Sequence, residues 1–277
     1  MPDWSNPLHL DLHMHTTCSD GAFAPEAVAA QARRAGLHAI AVTDHDTMAG
    51  VERARAAGAE VGLLVIPGTE LSVSFNGRDM HLLAYGVPPD DPGIGAVTAR
   101  MGALRRTRIA VIVERLQGLG VAITVDDVRA PVGNSSIGRP HVAEAMVRLG
   151  AVRHIQEAFS RFLGDGAPAC VPSRGPDVAE AVAAIRSAGG VSVWAHPSLD
   201  DARHFPRLSA LGLDGAEVLR PSVAPTTSSA LEHAARDAGL VVSGGSDWHG
   251  GNPPLGSWYV THRHVGALLE RLAIPLD

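Results

Sequence analysis

Residues 8–21 read LHLDLHMHTTCSDG, and this stretch decides how the rest of the chain is interpreted. Apolar and polar residues alternate up to Met14, which is the period of a half-buried β-strand. His13 and His15 then point to the same side, because residues two apart in a strand share a face. Asp20 follows on a Ser-Asp-Gly turn that could bring its carboxylate back towards them. The pattern predicts a strand that delivers two imidazoles to one cation, although the HxH spacing alone is equally typical of an ordinary strand with two solvated histidines.

Composition limits the class of protein. The chain has 277 residues, of which 45% are hydrophobic and 19% charged, and a net charge of -6. This balance favours a globular α/β enzyme, built either as one barrel-sized domain or as a domain with an insertion. The acidic charge argues against a broad nucleic-acid surface but allows a local basic pocket for a phosphorylated ligand.

The amino terminus and the cysteines indicate the compartment. The two cysteines have no CxxC spacing, which argues against a disulfide framework or a thiolate zinc site. The amino terminus lacks a basic start followed by an apolar run, and no apolar segment approaches the ~20 residues that span a bilayer. We therefore expect a cytoplasmic protein that is neither secreted nor inserted in a membrane, and no obligate protein partner is evident.

Further ligand-type side chains stand at or near the ends of other predicted strands. The near-continuous apolar run VGLLVIPGTELSV contains Glu70, and a buried carboxylate needs either a cation or a salt-bridge partner. Asn76-Gly77 is a strong hairpin signal, so the returning strand should set His81 near that carboxylate. The candidate metal ligands collected in this way are His13, His15, Asp20, His45, Glu70, His81, His196, Asp247 and His249.

The order of the predicted elements indicates the architecture. Strands alternate with helical patterns, and catalytic groups collect at the carboxyl face of barrels built from parallel strands. From Pro88 to about Arg174 the alternation of strands and helices stops. A Pro- and Asp-rich linker there leads into a series of predicted amphipathic helices. We predict a barrel domain formed by residues 1–87 and 175–277, interrupted by a helical insertion of residues 88–174 that binds substrate.

The mixture of imidazoles and carboxylates indicates the chemistry. It suits manganese, zinc or iron in hydrolytic sites, and manganese is our first expectation. Nine donors are too many for one ion, which takes roughly four to six, so they imply two or three divalent cations with Glu70 and Asp247 as bridges. Such a centre can hold a hydroxide that attacks a phosphoryl group.

Six motifs together resemble one known family, the PHP (polymerase and histidinol phosphatase) metal-dependent phosphoesterases. They are DLHMHTTCSDG, TDHDT, PGTEL, HLLAYG, AHP and SDWH, and they occur in the family's order between residues 11 and 249. The resemblance implies a distorted (β/α)7-type barrel, a multinuclear metal centre, and all nine residues above as its ligands. A branch of the family with a GRPH-containing insertion removes phosphate from 3′,5′-bisphosphonucleotides or trims short RNA from the 5′ end.

Residues 138–141 read GRPH, so the resemblance implies substrate contacts for Arg139 and His141. The alternatives are a surface salt bridge for Arg139 and a capping or packing role for His141. The chain departs from the branch at Asp165, Ala167 and Cys170, where a lysine and an aromatic residue are usual, and at Leu219-Arg220, where Tyr-His is usual. Arg220 could replace a lost phosphate contact.

These observations predict a metal-dependent phosphohydrolase that cleaves a phosphomonoester of a small nucleotide. The alternatives are a 5′-to-3′ exoribonuclease acting on short RNA, a histidinol-phosphate-type phosphatase, and a non-catalytic metal-stabilised module. The last is disfavoured because all nine ligands are kept.

Three charged residues near the motifs receive separate predictions. Asp44 should orient an imidazole, Asp46 should cap a helix, and Arg105, with its basic neighbours, should lie on a solvated helix face that could guide an RNA tail.

Overall fold

The fold is built around an eight-stranded sheet. The structure is a computed structural model that describes residues 7–133 and 135–274. Neighbouring strands follow the order β7-β6-β5-β4-β3-β2-β1-β8, so the first seven strands stand side by side in sequence order. The strands are β1 (His9–Met14), β2 (Ala39–Val42), β3 (Leu64–Phe75), β4 (Arg78–Tyr85), β5 (Val191–Trp194), β6 (Gly215–Leu219), β7 (Val241–Gly244) and β8 (Val260–Thr261).

The sheet curls into a nearly closed barrel, because the segment after β7 bonds to the end of β1. The backbone N–H of His15 donates to the carbonyl of Trp248 at 2.9 Å, and the N–H of Ser246 donates to the Asp11 carboxylate at 2.8 Å. Strand β8 adds two residues antiparallel to β1. The predicted distorted seven-stranded barrel is therefore confirmed.

Strand β4 is the departure from a parallel barrel, since it runs antiparallel to both β3 and β5. The cause is the Asn76-Gly77 turn, whose φ angles of 51° and 73° are those that a tight two-residue hairpin requires. His81 pairs with Ser72 and so lies within β4, two residue pairs away from the pair that contains Glu70. His81 and Glu70 are thus both carried by the interior of a strand, whereas His15, His45 and His249 follow strand ends.

Helices cover the outside of the barrel and form the segment between β4 and β5. Helix α6 continues into a π-helical turn at Phe159–Leu163. None of the helices in the described ranges combines the length and apolarity needed to cross a membrane. The helices are α1 (Pro25–Arg34), α2 (Val51–Val61), α3 (Pro92–Gly118), α4 (Val125–Arg129), α5 (Arg139–Arg148), α6 (Ile155–Ala158), α7 (Val178–Ser187), α8 (Phe205–Ala210), α9 (Pro225–Asp237) and α10 (His262–Arg271).

Helix α3 belongs to two apolar clusters. Near its amino end, Ile94 and Val97 pack with residues of the barrel strands and their helices. Further along, Ile109 and Leu116 pack with α5 residues such as Met146 in a separate cluster. The helix thus connects the α3–α6 segment to the barrel through apolar contacts. The domain boundaries at residues 88 and 174 stay a prediction.

Gly245 allows the barrel to close around the first ligand strand. A Cβ added there would lie 2.2 Å from the Cβ of His13 and 2.5 Å from its backbone nitrogen. Since a backbone atom cannot rotate away, we expect Gly245→Ala to lower the free energy of unfolding by about 1–3 kcal/mol, the usual cost of overpacking. Urea denaturation followed by circular dichroism measures this change.

The control is Gly95→Ala within α3, where an added Cβ meets nothing within 4 Å. There we expect unchanged stability or a gain of about 0.5–1 kcal/mol, because alanine is the better helix former. Equal stability of the two variants would contradict the packing described for Gly245.

Candidate metal centre

The carboxylate of Glu70 lies at the centre of the site and is buried, with its side chain 1% exposed. Its Oε2 atom lies 3.2 Å from Nε2 of His13, 3.3 Å from Nε2 of His15 and 3.0 Å from Nδ1 of His45. These histidines come from the end of β1 and from the loop after β2, so strand ends converge on one oxygen, as predicted from the sequence pattern.

The second oxygen of Glu70 faces the other side of the barrel. Its Oε1 atom lies 2.8 Å from Nδ1 of His81 and 3.1 Å from Nε2 of His196. The two imidazole nitrogens are themselves 3.3 Å apart. One carboxylate therefore stands between two sets of histidines, which is the arrangement of a bridging ligand.

Two aspartates complete the cluster. Oδ1 of Asp247 lies 3.3 Å from Nε2 of His13 and 3.2 Å from Nε2 of His15. Oδ1 of Asp20 lies 3.4 Å from Nε2 of His249, and Oδ2 of Asp20 lies 3.7 Å from Nε2 of His45. The structure thus brings together all nine residues singled out in the sequence.

The cluster contains three groups of residues, and within each group the donor atoms all lie within 4.8 Å of one another. His15, His45 and Glu70 each belong to two of them, so the groups are joined. The groups are His15, Asp20, His45 and His249; His13, His15, Glu70 and Asp247; and His45, Glu70 and His81.

The buried polar atoms of the cluster fit cations. Within the described residues, five donor atoms of the cluster are buried without a hydrogen-bond partner. They are Nε2 of His13, Nε2 of His15, Nδ1 of His45, Oδ1 of Asp20 and Oε2 of Glu70. Buried polar atoms nearly always have a partner, so five such atoms converging on one place require an explanation. Divalent cations would satisfy all five at once, and imidazole nitrogens with carboxylate oxygens are suitable donors.

Burial and the nearby carboxylates act in opposite directions on the pKa values of the imidazoles. Burial alone would lower the pKa of His15, but Asp247, Glu70 and Asp20 raise it to about 10. Burial lowers the pKa of His45 to about 3, so this ring is neutral, the form in which imidazole binds a metal. Metal binding at His15 would therefore release a proton.

Glu217 on β6 is a buried residue that the sequence interpretation missed. Its Oε1 atom lies 2.9 Å from Nδ1 of His13, and its Oε2 atom accepts a 2.9 Å hydrogen bond from the backbone N–H of His196. A carboxylate on Nδ1 fixes the ring of His13 so that Nε2 points at the centre. The signal was present, because Glu217 is a lone carboxylate in the apolar run GAEVL, as Glu70 is in its own strand.

Asp44 acts on a backbone loop and reaches an imidazole only indirectly. Its carboxylate accepts hydrogen bonds from the N–H and hydroxyl of Thr16 and from the hydroxyl of Ser19. The Ser19 hydroxyl in turn lies 3.4 Å from Nδ1 of His15. Asp44 therefore shapes the turn that leads to Asp20.

Two further predictions from the sequence are wrong. Asp46 does not cap a helix, because its buried carboxylate accepts hydrogen bonds from Ser72 and from Arg105. Arg105 is 8% exposed, so it does not lie on a solvated helix face. The reason in both cases is that α3 docks against the barrel at this point, which no local pattern in α3 could indicate.

Arg139, at the start of α5, faces the metal centre from the insertion. Its Nη1 atom donates to Oδ1 of Asp165 at 2.8 Å and to the carbonyl of Leu163 at 3.1 Å. Together with His81 and His196 it also lines a cavity of about 460 Å³. The predicted salt bridge and the predicted position beside substrate are thus compatible.

His141 and Arg220 are engaged with backbone. Nδ1 of His141 accepts from the N–H of Gly138 at 3.0 Å, and Nε2 donates to the carbonyl of Ser19 at 3.1 Å. Arg220 donates through Nη2 to the carbonyl of Pro197 at 3.0 Å, while its Nε and Nη1 atoms are buried without a partner. The geometry favours the capping alternative for His141, and substrate contact by either residue stays a prediction.

Comparison with known proteins agrees with this geometry. Residues 11–120 match the PHP domain family. A 5′-3′ exoribonuclease of Haemophilus influenzae is 31% identical over 86% of this chain and 89% of its own length. A 3′,5′-nucleoside bisphosphate phosphatase of Chromobacterium violaceum is 32% identical over 87% of each chain.

A solved structure shows the same fold along almost the whole length. A protein of Bifidobacterium adolescentis described as a metal-dependent phosphoesterase superposes with a TM-score of 0.86 at 36% identity, covering 95% of this chain and 96% of its own. The sequence motifs, the barrel, the cluster around Glu70 and these relatives agree. The chain belongs to the PHP family and is a metal-dependent phosphoesterase.

Proposed function

We propose that the nine clustered residues hold two or three divalent cations, with manganese the first candidate, and that the enzyme releases phosphate from a small nucleotide such as a 3′,5′-bisphosphonucleotide. The observation that carries this proposal is the convergence of unpartnered buried donor atoms around Oε2 of Glu70. The relative that acts on nucleoside bisphosphates supports the choice of substrate. The absence of a CxxC motif and the two free cysteines support a cytoplasmic location.

The protein's own groups have distinct tasks in this reaction. Divalent cations in such a centre activate water and stabilise negative charge on phosphoryl oxygens. Glu70 contacts both sets of histidines, and Glu217 fixes the orientation of the His13 ring through Nδ1. Arg139 lies where a guanidinium could bind a phosphate in place of Asp165.

The cavity beside His81 and His196 is suited to the substrate. Its volume of about 460 Å³ is ordinary for a small-molecule site. Arg78, Arg139 and Arg203 contribute positive charge to its lining, and Phe75 and Trp194 contribute aromatic surface. Charge for phosphates and flat apolar surface for a base are what a nucleotide requires.

A second candidate, 5′-to-3′ exoribonuclease activity on short RNA, is favoured by the shape of the surface. The substrate cavity shares His81 and Arg139 with a middle cavity of about 200 Å³. That cavity shares Asp20, Phe159 and His249 with a third one of about 740 Å³. A groove therefore passes the metal centre on both sides, which would accommodate a chain longer than one nucleotide.

Activity on a substrate panel distinguishes the candidates. We expect the manganese-loaded enzyme to release phosphate from 3′,5′-bisphosphoadenosine with a higher kcat/KM than from AMP or histidinol phosphate. If 5′-phosphorylated di- to pentanucleotides are cleaved with the highest kcat/KM, the groove serves RNA and the exoribonuclease candidate replaces the first. Turnover of none of them would refute both.

Loss of a ligand should abolish turnover without unfolding the protein. We expect His13→Ala and Asp247→Asn to lose activity on every substrate of the panel, because each removes a donor next to Glu70. Circular dichroism should show that the barrel persists. A variant with unchanged kcat at saturating manganese would contradict the assigned ligand set.

Cation binding should be visible as stabilisation. Manganese added to the chelator-treated enzyme should raise its Tm, since a ligand at 100 times its Kd contributes about 2.7 kcal/mol to the folded state. Asp247→Asn should show a smaller rise, because one donor group loses a carboxylate. An unchanged Tm for the wild-type protein would count against a metal centre.

Arg139→Ala should act on substrate binding. Removing a charged partner of a phosphate costs about 1.5–3 kcal/mol, so we expect KM to rise roughly 10- to 100-fold while kcat changes little. Asp165→Ala is the matched control, because it removes the partner of Arg139 and leaves the guanidinium in place. An unchanged KM for Arg139→Ala would show that the residue only forms the surface salt bridge.

A further inference from the structure

The insertion holds the loop that carries Asp20. The hydroxyl of Ser135 donates to the carbonyl of Thr17 at 2.6 Å, and the N–H of Ser136 donates to the carbonyl of Cys18 at 2.9 Å. His141 donates through Nε2 to the carbonyl of Ser19 at 3.1 Å, because a carbonyl can only accept. Three successive carbonyls immediately before Asp20 are thus bound by one segment of the insertion.

A second contact holds the loop that carries His45. Arg105 on α3 donates through Nε to Oδ2 of Asp46 at 2.5 Å and through Nη2 to the hydroxyl of Ser72 at 2.8 Å. The backbone N–H of Asp46 donates to the carbonyl of Glu70 at 2.9 Å. The insertion therefore reaches, through a buried ion pair, the residue next to His45.

Both contacts reach the group of His15, Asp20, His45 and His249, since they hold the loops of Asp20 and His45. His45 is also shared with the group of Glu70 and His81. The group around His13 and Asp247 is supported differently. Glu217 on β6 binds His13, and Asp11 on β1 accepts from the N–H of Ser246. The contacts named for the His13 and Asp247 group thus come from the barrel, whereas the Asp20 and His45 group is held by the insertion in addition to Asp44 of the barrel.

We propose that His141 and Arg105 are positioning residues, through which docking of the insertion sets the affinity of the cation at Asp20 and His45. This inference rests on the proposed metal centre. A loop loses conformational freedom when its side chain must meet a cation, and contacts that order the loop beforehand reduce that loss. Because Arg139 begins the same helix that carries His141, the insertion links the substrate side of the site to this one cation.

Manganese titration of the chelator-treated, full-length enzyme tests the proposal. Calorimetry and metal analysis of the dialysed protein give the affinity and number of bound ions without reference to activity. For His141→Ala we expect one Mn²⁺ to bind roughly 10- to 100-fold more weakly while the others are unchanged, which is the usual effect of losing a residue that orients a ligand. His141→Gln, which keeps a side-chain donor, should recover part of the loss.

A second variant probes the other contact without leaving a buried charge unpaired. Asp46→Asn combined with Arg105→Gln keeps hydrogen-bonding groups and removes both charges, and Asn tolerates the left-handed φ of 52° at this position. We expect the same single ion to be weakened. In both variants kcat should return at high manganese concentration, which a general folding defect would not allow.

The chain offers matched controls. His154 caps α6 through a hydrogen bond to Glu157 inside the insertion, so His154→Ala should leave all binding steps unchanged. Arg106 is the exposed neighbour of Arg105, and Arg106→Gln should also have no effect. Glu217→Gln should instead weaken an ion at the barrel-supported group.

The outcomes separate this inference from the proposed function. If the wild-type enzyme binds manganese and the His141 and Asp46/Arg105 variants bind it equally well, the inference is overturned and the metal centre stands. If all bound ions weaken together, the two residues support the whole cluster and the selective link is refuted. Failure of the wild-type enzyme to bind any manganese would overturn both.

Discussion

The buried negative charge of Glu70 is the constraint on which the structure depends. A carboxylate in the interior is costly unless opposite charge or hydrogen bonds compensate it. The nitrogens of five histidines surround it within 3.3 Å: His13, His15, His45, His81 and His196. Neutral imidazoles can hold a cation that compensates this charge, and the raised pKa of His15 lets a protonated ring compensate it when no cation is bound.

The fold supplies these groups from separate parts of the chain. Strand β1 brings His13, the β3–β4 hairpin brings Glu70 and His81 together, and the turn after β7 closes the barrel against His13. The α3–α6 segment then contacts the loops before Asp20 and after His45. In the proposed enzyme, substrate binding by Arg139 and metal positioning by His141 and Arg105 would share this one segment.

Much of this arrangement could be predicted from the sequence because its signals are local. The alternation in β1, the Asn76-Gly77 turn and a carboxylate within an apolar run each follow from the residues of one segment. Glu217 carries the same local signal as Glu70, but its partner His13 lies 204 positions away in the sequence, so its role depends on the closed barrel. The pairing of Asp46 with Arg105 joins residues 59 positions apart and depends on how α3 docks, so the pattern of α3 alone could not reveal it.

The hairpin geometry has a consequence for the ions that the centre accepts. Glu70 and His81 lie within paired strands, where the backbone ladder holds their positions, whereas Asp20 and His249 lie in loops. Rigid donors discriminate between ions by radius, and flexible donors adapt to them. In the proposed centre, the two hairpin donors would therefore select a cation by its radius, because the strand ladder fixes the distance between them.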